Sequence, residues 1–131
     1  MLIDASALTA FYASEAGSRE LLRPIEAASI RAISPLGLWE SAMALARIFS
    51  RRPGEASADL ERFILRFRVE ILNVDAEAAR LAVAVHDRCG EGSHRARLNS
   101  GECFAYAAAR QHRTPLLCKG DDFSLTDIEA A

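Results

Sequence analysis

Lysine is almost absent from this 131-residue chain: of its sixteen basic residues only Lys119 is not an arginine. Arginine excess alone reports nothing about function, but a planar guanidinium suits phosphate better than an ammonium does. Cysteine is also scarce. Cys89, Cys103 and Cys118 are odd in number, far apart and form no CxxC pair, which excludes a disulfide framework and a thiolate zinc site and predicts reduced, mostly buried thiols. No run of about 18 apolar residues exists, and "MLIDASALTAFYASEAG" carries an acid where a signal peptide has its basic region; a cytoplasmic protein with no membrane association is expected. Internal repeats, low-complexity tracts and linkers are also missing. With half of its residues hydrophobic and a net charge of −2, the chain reads as one compact domain over residues 1–131.

Short apolar runs alternate with helical spacings. "MLI", "IRAIS", "VEILNV" and "TPLLC" read as strands. Helices are expected at "SALTAFYASE", at "SRELLRPIEAAS" with a break or kink at Pro24, and at "SPLGLWESAMALARIFSRR", where Ser34 is the N-cap and Pro35 the first helical residue. The apolar stripe of that third helix is expected to be Trp39, Ala42, Met43, Ala46 and Phe49, with Pro53 and Gly54 ending it. "EASADLERFILRFR", "AEAARLAVAVHDRC" behind a capping Asp75, and "SGECFAYAAA" complete the helices, and "GEGSHRARLNS" is a polar, basic loop. Such alternation predicts an α/β domain around a parallel sheet.

Ligands of open parallel sheets bind beyond the carboxyl ends of the strands. Asp4 follows the first strand directly, Asp121 and Asp122 follow the last by a short turn, Glu102 opens the helix feeding that strand, and Glu40 lies in the second turn of the Ser34-capped helix. Each has an ordinary explanation alone: Asp4 as a helix cap, Glu102 as a dipole partner, Glu40 on a solvated stripe with Ala44, Arg47 and Arg51, and the Asp121–Asp122 pair as a turn. Together they would repel unless a hard cation neutralised them, and carboxylates without His/Cys spacing suit Mg²⁺ or Mn²⁺. Such a cation favours phosphodiester hydrolysis. His94, Arg95, Arg97 and Lys119 are the preferred candidates for holding the phosphates of such a substrate, ahead of Arg47 and Arg51. Tyr106 and Phe104 read as core, and so does the His86–Cys89 pair.

"LIDASAL", a Pro-started helix carrying Glu40, "LNSGECFAYAAA" and "PLLCKGDDF" together resemble the PIN-domain ribonucleases, in particular the VapC toxins of toxin–antitoxin pairs, from Asp4 to Phe123. The resemblance implies a three-layer α/β/α sandwich, Mg²⁺- or Mn²⁺-dependent endoribonuclease activity, a VapB-like antitoxin and a homodimer, for which Phe11, Tyr12, Trp39 and Phe49 are candidate interface residues. It implies metal-binding and catalytic roles for Asp4, Glu40, Glu102 and Asp122, with Asp121 a further candidate ligand and Ser6 supporting Asp4. Glu102 stands where that family has Asp, so its carboxylate is one methylene further out. Two other readings remain open on sequence: a PIN-fold binding protein with impaired catalysis, and a phosphotransferase that uses Asp4 as nucleophile.

Overall fold

A computed structural model describes residues 1–92 and 94–131; within the loop of residues 90–100, Ser93 lies outside the described residues. Its strands are β1 (Leu2–Ile3), β2 (Ala32–Ile33), β3 (Glu70–Ile71) and β4 (Leu116–Leu117), all parallel, in the order β3-β2-β1-β4. Helices α1 (Ala5–Tyr12) and α2 (Leu22–Ala27) connect β1 to β2, α3 (Pro35–Ile48) and α4 (Pro53–Phe67) connect β2 to β3, and α5 (Ala76–Cys89) and α6 (Ser100–Gln111) return the chain to β4. Parallel crossovers are right-handed, so connections running outward from β1 and the one running back past it must cover opposite faces of the sheet.

The core shows this separation. Successive strand residues point to opposite faces: Leu2, Ala32 and Leu116 pack with α5 and α6, while Ile3, Ile33 and Leu117 pack with α1 to α4. The result is the expected three-layer α/β/α sandwich. Both residues of edge strand β3 are exposed, and the opposite edge is covered where Leu116 donates to Glu129 O and accepts from the Ala131 N–H. Among the described residues no helix is long and apolar enough to cross a membrane.

Three local expectations need correction. Pro24 does not break a helix; a 3-10 turn over Ser18–Leu21 precedes α2, and Pro24 falls in the first turn of α2, where its missing N–H has no partner to lose. Pro53 starts α4 rather than ending α3, which already stops at Ile48. On α3 the buried face is Gly37, Ser41, Ala42, Leu45 and Ala46, whereas Trp39 is 58% and Phe49 43% exposed. Ala42 and Ala46 of the expected stripe are buried and Met43 packs against the core, but its two aromatics fall outside a packing face that Leu45 and small residues make.

The candidate active site at the carboxyl edge

Strand order reverses between β1 and β4, and both strands end at the same crevice. Asp4 leaves β1 with its N–H bound to Leu117 O at 2.8 Å and becomes the N-cap of α1. Its Oδ2 accepts from Ser6 N at 2.9 Å and Ser6 Oγ at 2.5 Å, while Ser6 Oγ accepts from the Lys119 N–H at 3.0 Å. Ser6 therefore ties Asp4 to the exit of β4. Asp4 is 6% exposed. Among the described residues no ion pair reaches Asp4, Glu40, Glu102 or Asp122.

Glu102 is held at the start of α6 by a reciprocal capping box. Its N–H donates to Asn99 Oδ1 at 3.1 Å, and its Oε2 accepts from Asn99 N at 2.8 Å. Glu102, expected only as a partner of the helix dipole, is thus also part of the cap, and the longer side chain has a use: it reaches back three residues. Holding the cap does not remove Glu102 from the acids. Burial raises its pKa, the Asn99 bond opposes that, and the charges of Asp122, Asp4 and Glu91 add to the rise.

Glu40 has no comparable structural duty. Ser34 caps α3 through the Gly37 N–H at 2.9 Å, and Glu40 follows in the second turn, half-buried, its pKa raised by burial and then by Asp4 and Glu102. Its carboxylate rests against Gly101. A Cβ on Gly101 would overlap Glu40 Oε1 and lie 2.5 Å from Glu40 Cδ, so only glycine leaves this seat open. Sequence reasoning passed over Gly101, although a glycine in the first turn of a helix, where it costs stability, is a signal of close approach.

Cys118 reports on the same convergence. At the end of β4 its thiol is pushed up to about 11, by burial first and then by Asp4, Asp122, Glu102 and Asp121. The thiol stays protonated at neutral pH. Asp121 and Asp122 are both exposed in the turn opened by Gly120 (φ +102°). Asp122 enters the field of Glu102, whereas Asp121 is felt through Cys118.

A cavity of about 520 Å³ opens between these elements, lined by Asp4, Ser6, Glu40, Glu102 and Asn99. Its cations are Arg47 and Lys119, and Trp39 forms part of its wall. The structure does not bring Asp121, Asp122, His94, Arg95 or Arg97 to this lining: the two acids stand beside it in the exposed turn after β4, and the loop residues lie before α6, where His94 Nδ1 accepts from the Ala96 N–H. Arg51 is turned away onto Asp59 at 2.7 Å. Of the helix pair ranked behind the loop, Arg47 is therefore the cation at the acids. Tyr106 and Phe104 pack in the core as expected.

Among the described residues, no three His, Cys, Asp or Glu side chains converge tightly enough to enclose an ion unaided. That arrangement still fits Mg²⁺ or Mn²⁺ chemically. Mg²⁺ keeps several of its waters and takes only one or two carboxylates directly, and the donors here are all carboxylates in mutual repulsion.

The PIN domain family matches residues 1–129. The chain belongs to the PIN domain family. Within it the chain groups with the VapC ribonucleases: Ribonuclease VapC30 of Mycobacterium tuberculosis is 38% identical over 128 residues, covering 98% of this chain and 95% of the relative. Two solved structures share the fold. One is M. tuberculosis VapC20, described as a sarcin-ricin loop cleaving toxin (TM-score 0.75, 17% identity, 99% and 97% of the two chains). The other is a toxin–antitoxin complex from Klebsiella pneumoniae (TM-score 0.68, 20% identity, 96% and 92%).

Proposed function

We propose that this PIN domain is a divalent-cation-dependent endoribonuclease and the toxin of a VapBC-type pair. The observation that carries the reading is Glu40, a half-buried carboxylate with no capping role, seated on Gly101 within the fields of Asp4 and Glu102. Asp4 and Glu102 each have a structural use; Glu40 is the acid that folding alone does not explain. The kinship with VapC ribonucleases supplies the reaction class, and no comparable support favours an aspartyl phosphotransferase or an inactive binding protein.

Asp4, Glu40, Glu102 and Asp122 would hold Mg²⁺ or Mn²⁺, Glu102 through the oxygen not engaged by Asn99. Such a cation, when bound, lowers the pKa of water and stabilises charge developing on a phosphoryl group. Ser6 fixes the orientation of Asp4, an outer contact of the kind whose loss costs a metal site about 10–100-fold. Arg47 and Lys119 supply positive charge beside acids that would otherwise repel RNA. A homodimer and an antitoxin that covers the site belong to the same proposal; Ile48 and Phe49, exposed at the end of α3, are apolar contacts available to a second chain.

The test is incubation of the purified, partner-free chain with RNA, with and without Mg²⁺ or Mn²⁺, beside Asp4→Ala. Cleavage should require the cation and vanish in the variant. Cleavage in chelator, or undiminished in Asp4→Ala, removes the proposal.

A further inference from the structure

Trp39 is the only tryptophan of the chain, and it is 58% exposed. It immediately precedes Glu40 on α3, and its side chain lines the same cavity as Asp4, Glu40 and Glu102. Met43, Ala44 and Arg47 carry that wall two helical turns further, ending on a guanidinium. The largest apolar side chain of α3 is thus spent on the rim of an acidic cleft, while Leu45 and smaller residues make the packing face.

We propose that Trp39 is a stacking platform for an unpaired nucleobase of the RNA substrate, with Arg47 receiving a neighbouring phosphate. The inference rests on the ribonuclease reading and adds a subsite to it. Unpaired RNA bases stack on aromatic faces, and every base offers such a face whatever its hydrogen-bonding edge. A nucleotide joins a flat apolar ring to an anion; the cavity wall joins an exposed indole to a cation. Trp39 also borders a shallow apolar groove with Pro35, Leu38, Ala42 and Pro53, where a protein segment could be held. RNA is favoured for the cavity side because the lining there is polar and carries two cations, Arg47 and Lys119, beside Asp4, Glu40, Asn99 and Glu102. An apolar partner laid across them would strip water from carboxylates and an amide without replacing their hydrogen bonds.

Because Trp39 is the sole tryptophan, intrinsic fluorescence of the full chain reports on this one side chain. Hexauridine and hexaadenosine, titrated in chelator so that no cleavage occurs, should quench it saturably. Read by the anisotropy of end-labelled hexamers, which does not depend on the tryptophan, Trp39→Ala should bind both about 5- to 150-fold more weakly, the equivalent of one lost base–aromatic stack, and Trp39→Phe should recover most of the loss. With Mn²⁺ present, Trp39→Ala should raise KM for a single-stranded substrate more than it lowers kcat. Cation-dependent cleavage by the wild type, with no quenching and unchanged RNA affinity in Trp39→Ala, overturns the platform and leaves the nuclease standing. A variant that loses only self-association or antitoxin binding, at unchanged RNA affinity, overturns it as well. Quenching without any wild-type cleavage supports the platform and removes the nuclease reading instead.

Discussion

The two ends of the sheet are built from the same strands and differ in chemistry. At the amino edge, Arg31 donates to the carbonyls of Ile25, Glu26 and Phe67, closing the last turns of α2 and α4. A larger cavity than the one between the acids, about 730 Å³, opens there, and among the described residues its one acidic side chain is Glu70. At the carboxyl edge the starts of α1, α3 and α6 gather, with Asp4, Ser34 and Asn99 as their caps. Helix dipoles explain this much of the polarity: cations suit helix ends and anions suit helix starts. They do not explain Glu40. Cavity size thus ranks the ends one way and chemistry the other, and the surplus carboxylate decides which end acts.

The comparison sharpens if the surplus acid is moved without changing its charge. Gly101→Ala should displace the Glu40 carboxylate and lower cation-dependent cleavage about 100-fold, the cost of roughly an ångström of misplacement. Circular dichroism should show an intact fold. Glu40→Asp, harmful in the wild type, should restore part of the rate in the Gly101→Ala background, because the shorter side chain clears the new methyl. Equal losses from Glu40→Asp in both backgrounds would break the link between the two residues. A smaller effect separates capping from chemistry at Glu102. Glutamine can keep the capping box, so Glu102→Gln should hold stability within about 0.5 kcal/mol by denaturant unfolding while cleavage falls. A large loss of stability with cleavage preserved would make Glu102 a cap and nothing more.

Most of the architecture was legible in the sequence because its signals are local. Short apolar stretches marked the strands, and Ser34–Pro35 and Asp75 marked two helix starts that the structure keeps. The face of α3 was not legible, since Trp39 and Phe49 dominate a periodicity count although Gly37, Ser41 and Ala42 do the packing. In the candidate site, four strand-edge acids could be named from their places along the chain. Their distinct situations could not. Asn99 holding one Glu102 oxygen, Ser6 bridging Asp4 to Lys119, and the seat that Gly101 leaves for Glu40 all join segments distant in sequence or depend on an absent side chain. The weight given to His94, Arg95 and Arg97 over Arg47 had the same origin: nearness to Glu102 along the chain is not nearness to the cavity.

Cation binding itself tests the account most directly, without requiring an RNA. Burial and neighbouring charge raise Glu40 and Glu102, so the metal-free folded chain binds these protons more tightly than the unfolded chain does. Its stability therefore gains as pH falls through the folded pKa values toward the unfolded ones, and their mutual repulsion is fully felt above them. A bound cation relieves that repulsion. Saturating Mn²⁺ should raise Tm by on the order of 5 °C at neutral pH, and by progressively less as the carboxyls protonate on acidification. Asp4→Asn and Glu40→Gln should abolish the rise, while Arg113→Ala, at the amino edge, should leave it intact. A Mn²⁺-induced rise of equal size in Asp4→Asn, Glu40→Gln and the wild type would contradict a cation site at the carboxyl edge.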